Sequence, residues 1–76
     1  MELQKFIINF AELFEETDTN DFKAETAFKE LDEWSSLHAL LIIAMADEKY
    51  GVKITGEDIR NSTTINDVYE IVKNRK

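Results

Sequence analysis

The stretch LDEWSSLHALLIIAMADEKYGVKI, residues 31–54, decides how the whole chain is read. Its apolar run, ALLIIAMA at 39–46, is far shorter than the roughly 20 residues that a membrane-spanning helix needs. It is long enough for a buried helix. Ser35 and Ser36 stand just before the run and Gly51 just after it. Serine favours a helix N-cap and glycine favours the left-handed residue that ends a helix. The stretch therefore predicts a helix over 36–50 with Ser35 as its N-cap. One serine suffices for a cap, and the reason for the second has to be sought elsewhere.

Working outward, residues 2–16 predict an amphipathic helix. Leu3, Phe6, Ile7, Phe10 and Phe14 fall on one stripe, with Glu12, Glu15 and Glu16 opposite. Residues 17–34 show no sustained period. ETDTND is rich in turn formers, and Phe22, Ala24, Phe28 and Leu31 are spaced to pin a long loop to the core. A calcium loop from Asp18 fails, because Lys23 stands where glycine is needed and Lys29 where glutamate is needed. After the central helix, VKI predicts a short extended link. Thr55 with Asp58, and Thr64 with Asp67, are capping-box variants that open two further helices. The first is short and ends near Asn61. Ile65, Val68, Tyr69 and Val72 line one face of the second. The expected architecture is all-α: one domain over 1–76, a small four-helix bundle with three longer helices, a short helix III and a long loop between helices I and II.

Composition removes several function classes. There is no cysteine and one histidine, His38, so neither disulfides nor a Cys/His zinc site is available, and no metal site is expected. The net charge is −7, and residues 1–33 hold ten of the sixteen acids but three of the nine bases. Nucleic-acid binding requires cations against phosphate and is not expected. An acidic chain suits partners with basic patches. The N-terminal MELQKFIINF starts acidic and lacks a small-residue cleavage site, so no signal peptide is expected. The absence of cysteine fits a reducing compartment, and a cytoplasmic, monomeric protein is the expectation.

The serine pair admits three readings. Capping explains Ser35. Nucleophilic catalysis needs an oriented base. His38 is the only imidazole, and helical spacing turns it toward Ser35 and away from Ser36. No glycine-flanked nucleophile elbow is present. The third reading is covalent modification, because a hydroxyl at a positively polarised helix start is a favourable place for an attached phosphate.

Residues 32–72, DEWSSLHALLIIAMADEKYGVKITGEDIRNSTTINDVYEIV, resemble the acyl carrier protein family, and the resemblance covers nearly the whole chain, most securely residues 28–72. That family carries an Asp-Ser-Leu motif at the start of its second helix, and Ser35-Ser36-Leu37 stands at that place here. The resemblance implies that Ser36 is the attachment site of 4′-phosphopantetheine, donated by coenzyme A in a reaction of a separate magnesium-dependent phosphopantetheinyl transferase. The arm's thiol would hold acyl groups as thioesters, which suits a chain with no thiol of its own. The protein would be a carrier and not an enzyme, with no catalytic residues. It would serve fatty-acid or related lipid synthesis through acyl-transferring and chain-elongating enzymes. The alternatives are an aminoacyl or specialised-metabolite carrier of the same fold and an unmodified helical adaptor. Ser35 keeps the helix cap but drops the family's charge.

The resemblance also makes the stripe of Leu37, Leu41, Ala44 and Glu48 the partner-facing side, with Asp47, Glu48, Glu57 and Asp58 supplying its acids. Leu41 is expected to be exposed or half-exposed, because Ala39, Ile42, Ile43 and Ala46 face the core from the opposite flank. His38 is expected to be exposed, and Trp34 to anchor the helix start. Candidate walls for an acyl chain between the helices are Phe28, Ile43, Ala46, Ile54, Ile59, Ile65, Val68 and Val72. These residues are also the natural core.

Overall fold

The computed structural model describes residues 3–76. Its helices are α1 (Leu3–Ala11), α2 (Ser36–Tyr50), α3 (Gly56–Arg60) and α4 (Ile65–Arg75), with no strand among the described residues. The expected start of the first helix at residue 2 lies outside the described residues. Two single 3-10 turns, Thr19–Asp21 and Phe28–Glu30, punctuate the long segment between α1 and α2. α1 packs on α4 and α2, while the short α3 bridges α2 and α4. The chain is thus the all-helical bundle that its periodicity predicts.

α1 stops at Ala11 and does not continue to residue 16. The chain tightens there, with Leu13 N–H donating to Phe10 C=O at 3.2 Å and Phe14 N–H to Ala11 C=O at 3.0 Å. Three glutamates at a helix C-terminus would oppose the negative end of its dipole, and no cation stands in the last turn of α1 to offset them. Phe14, although beyond the end of α1, is still in the core, at 2% exposed.

The core is mainly aromatic on the α1 side and aliphatic on the α4 side. Phe6, Phe10, Phe28, Ile42, Ala46, Ile65 and Val72 are fully buried. Phe10 meets Phe28 edge-on at 5.1 Å and stacks with Phe14 at 5.8 Å. Phe22 closes on Phe14 at 5.2 Å. Such contacts add about 0.5–1.5 kcal/mol per pair beyond the area buried. They convert a loop with no regular structure into a fixed strap. Main-chain bonds hold the strap as well: Ile65 N–H donates to Thr26 C=O and Asn66 N–H to Ala24 C=O, at 3.2 and 2.9 Å.

Helix ends follow the local chemistry. Gly51 takes φ 66°, the left-handed stop expected of it, and its N–H donates to Asp47 C=O. Both capping boxes form. The Thr55 and Thr64 hydroxyls accept from the N–H groups of Asp58 and Asp67, whose carboxylates accept from the threonine N–H groups in return. Asp58 has a further partner, because Arg75 of α4 donates to both of its oxygens. This fork–fork pair clamps the start of α3 to the end of α4. The Arg75 guanidinium, with the Thr55 N–H, holds the Asp58 carboxyl down at about 2, against an ordinary 3.8.

Two predictions follow from this packing. Phe10→Ala should remove about 3–5 kcal/mol, a large share of the about 4–11 kcal/mol that a chain of this length has. Urea unfolding should then show a protein at or beyond the edge of folding. For Asp58 the folded value lies below the unfolded one, so its stabilisation is present above about pH 4 and disappears as pH falls through about 2. Asp58→Asn should lower the melting temperature at neutral pH and flatten the acid limb of the melting profile in that window.

Candidate functional site: the α2 N-terminus and its serine pair

Ser36 is the first residue of α2 and Ser35 its N-cap. Both are exposed. Ser35 takes the extended cap backbone, φ −152° and ψ 171°, and its C=O accepts from His38 N–H at 3.0 Å. Its hydroxyl makes no cap bond. Ser35 Oγ instead lies 3.0 Å from His38 Nδ1. The expectation that this hydroxyl caps the helix is therefore corrected: Ser35 caps by backbone only, and its side chain is held by the imidazole one turn on.

His38 is buried, not exposed, at 8%. Its ring stacks on Phe14 at 4.4 Å and 17° and leans on Trp34 at 6.1 Å. Its Nε2 faces Glu33 Oε2 at 3.5 Å. The other oxygen of Glu33 accepts from Glu16 N–H at 3.0 Å and from the Thr17 hydroxyl at 2.8 Å. Burial pushes the Glu33 carboxyl up, but the Thr17 hydroxyl, the backbone donors of residues 16 and 15 and His38 together hold it below its ordinary value. A carboxylate only accepts, so a proton on Nε2 satisfies Glu33 and leaves Nδ1 to accept from Ser35 O–H. Glu16 and Thr17, Glu33, His38 and Ser35 thus form one polar chain from the beginning of the loop to the beginning of α2. Spacing predicted that His38 turns toward Ser35. Its burial could not be read locally, because it depends on stacking against Phe14, far from it in sequence.

The burial of His38 also sets the rotation of α2. Its buried residues are His38, Ile42, Met45 and Ala46. Ala39 and Ile43, expected to face the core, are only partly buried and flank it. On the outer side Leu37 is 60% exposed and Leu40 63%. Leu41 is half-buried, while Ala44, Asp47 and Glu48 are exposed. Leu40 is the large apolar residue that the sequence reading missed. The sequence signal for it was an apolar run too wide for one face to bury. Glu57 is exposed on α3, whereas the Asp58 carboxylate is already engaged by Arg75 and Thr55 and is not a free surface acid. Lys53 pairs with Asp47 at 3.4 Å.

The residues named as acyl-chain walls lie in the core. Phe28, Ala46, Ile54, Ile59, Ile65, Val68 and Val72 are buried, and Ile43 is partly buried against them. A shallow groove of about 270 Å³ opens next to Ser36, between the start of α2 and α3. Among the described residues, no cluster of His, Asp and Glu could hold a metal ion, and no helix is long and apolar enough to cross a membrane.

Over 74 residues the chain is 26% identical to an acyl carrier protein of Acidothermus cellulolyticus, which covers 93% of this chain and 88% of that relative. Acyl carrier proteins of Myxococcus xanthus and Micrococcus luteus are each 29% identical over 72 residues, covering 91% of this chain and 91% and 89% of theirs. The chain is similar to acyl carrier proteins along almost the full length of both partners, and the serine pair falls inside the shared region. No family model matches it, and no solved structure does.

The Ser35–His38 contact yields a thermodynamic prediction. Ser35→Ala and His38→Ala should be coupled by about 1 kcal/mol in a double-mutant cycle read by urea unfolding, as expected of contacting groups in one network. Independent effects would mean that the pair is not formed in solution.

Proposed function

We propose that this protein is an acyl carrier whose Ser36 bears 4′-phosphopantetheine, with acyl groups held as thioesters on the arm for fatty-acid or related acyl synthesis. The observation that carries the proposal is the state of the α2 start. Ser36 is exposed at the first helical position, no acid stands in that turn, and the neighbouring hydroxyl is turned away to His38. The N–H groups of that turn are thus left without a side-chain cap, and an anion fixed at Ser36 would sit where the helix dipole favours it. The residues present fit the group. When bound, the arm supplies the thiol that the chain lacks.

In loading, Ser36 Oγ would attack a phosphoryl group of coenzyme A. The new bond is Oγ–P, the pyrophosphate P–O bond breaks, and adenosine 3′,5′-bisphosphate leaves with that bond's electron pair. The serine proton passes to a base of the transferase. The present chain contributes position: α2 presents the hydroxyl, and the Ser35–His38–Glu33 chain fixes the turn from which it projects. Catalysis then belongs to the transferase and to acyl-transferring and elongating enzymes, and the chain itself acts in the cytoplasm as a monomer. Leu37, Leu40, Leu41 and Ala44 would meet those enzymes through an apolar patch, bordered by Glu48 and Glu57. This arrangement also suits an aminoacyl or specialised-metabolite carrier. The same exposed leucines favour, as a second reading, an unmodified adaptor that docks a partner helix.

Incubation with coenzyme A, magnesium and a broad-specificity phosphopantetheinyl transferase separates these readings. Intact mass should show one added arm on the wild type and on Ser35→Ala, and none on Ser36→Ala. A wild type left unmodified under conditions that load a control carrier would turn the assignment to the adaptor.

A further inference from the structure

Ser35 stands at a helix cap, yet its side chain does no capping. A serine at that position ordinarily spends a lone pair on an N–H of the first turn. Here the hydroxyl makes no such bond, and its oxygen lies 3.0 Å from His38 Nδ1. The direction of that contact is set from the far side of the ring. Glu33 Oε2 faces Nε2 at 3.5 Å, and a carboxylate only accepts, so the imidazole proton belongs on Nε2. Glu33 is itself fixed by Glu16 N–H and the Thr17 hydroxyl, and the ring is fixed by Phe14 and Trp34. Nδ1 is therefore the acceptor, and the single Ser35 proton points inward. A hydroxyl has one proton and two lone pairs. Ser35 is exposed, so it presents to solvent an oxygen acceptor that its own helix does not use. No acid stands in the first turn of α2, and Glu33, the nearest carboxylate before it in sequence, is engaged in the polar chain.

We infer that His38 is a positioning residue for arm attachment: by taking the Ser35 proton it turns that hydroxyl into a hydrogen-bond acceptor beside Ser36, read by a donor that the transferase brings. The inference rests on the assignment of Ser36 as the attachment residue. Phosphoryl transfer from a pyrophosphate is carried by magnesium and cationic side chains that neutralise its oxygens. These groups gather at Ser36 during loading, and each presents a donor, either an N–H or a metal-bound water. A freely turning hydroxyl next to the nucleophile could meet them with its own proton and repel them. An oxygen whose proton is held by His38 meets them with a lone pair. Ser35 then does with a neutral group what a carboxylate would do with a charge. Ser36 Oγ remains the nucleophile, and no bond to Ser35 or His38 is made or broken.

The test follows loading by a broad-specificity phosphopantetheinyl transferase with coenzyme A and magnesium at neutral pH, read as a rate by intact mass, together with the nitrogen NMR shifts of the His38 ring. In the wild type Nε2 should carry a proton and Nδ1 none. Ser35→Ala should still load to completion, with kcat/KM lower by about tenfold, the worth of one hydrogen bond to a charged donor. His38→Phe keeps a ring against Phe14 and removes both nitrogens. It should slow loading by a similar factor, and the two changes together should cost no more than one. Ser35→Asp in the His38→Phe background supplies an acceptor that needs no partner and should restore the wild-type rate. A magnesium titration distinguishes the donors. A metal-bound water makes Ser35→Ala require more magnesium, whereas a cationic side chain leaves that requirement unchanged and raises KM for the carrier. The ring shifts and the Ser35→Ala rate are read on proteins that retain His38, so they decide the matter even where His38→Phe folds poorly. A proton on Nδ1, a wild-type rate in Ser35→Ala, or a His38→Phe defect that Ser35→Asp leaves unrepaired would overturn the role of His38 and leave the assignment of Ser36 standing. A chain that takes no arm would overturn both.

Discussion

The structure depends on a tertiary constraint: the segment between α1 and α2 has no regular structure to hold it and must be held by side chains. Phe22 and Phe28 are buried in the core from that segment, where Phe14 meets Phe22 and Phe10 meets Phe28. Trp34 closes edge-on over Phe28 at 5.3 Å. Together they bring the far end of the strap to a definite point, and α2 begins there. Without these rings the helix start would have no fixed address. The entropy lost in ordering so long a segment, about 1–2 kcal/mol per residue, is offset by burying large aromatic surface together with the main-chain bonds from Thr26 and Ala24 to the start of α4.

On this hydrophobic seam sits a polar one. His38 lies flat on Phe14, with Ser35 on one nitrogen and Glu33 on the other. Because Glu33 also takes the donors of Glu16 and Thr17, the two ends of the strap are tied to each other as well as to the core. The same contact draws the Ser35 hydroxyl away from the helix end. An ordinary cap would satisfy the first turn of α2 internally. Here the first turn of α2 is left without a side-chain cap beside Ser36.

Charge is distributed with the same economy. The acids concentrate before α2, where Glu33 is engaged in the polar chain; after α2, Asp58 is held by Arg75 and Asp67 by its capping box. The outer face of α2 begins with leucines and becomes acidic only near its end. Partner selection at that face would depend on apolar fit near the serine and on charge farther away. Between α2 and α3 the sign reverses, with Lys29 and Arg60 on the groove rim.

Much of the bundle was legible in the chain itself. The boundaries of α2, the left-handed Gly51 and the two capping boxes are set by residues within a few positions of one another, and local chemistry decides them. Ser36 at the first turn was equally readable, because a serine pair ahead of an apolar run has few structural uses. The end of α1, the burial of His38 and the exposure of Leu40 were not. His38 is buried by stacking on Phe14, far from it in sequence, and which side of α2 is covered is settled by such packing between distant segments. An apolar run wide enough to face any direction carries no information about its own orientation. Only packing against a distant segment supplies it, and the same packing brings Lys29 of the loop and Arg60 of α3 to one groove.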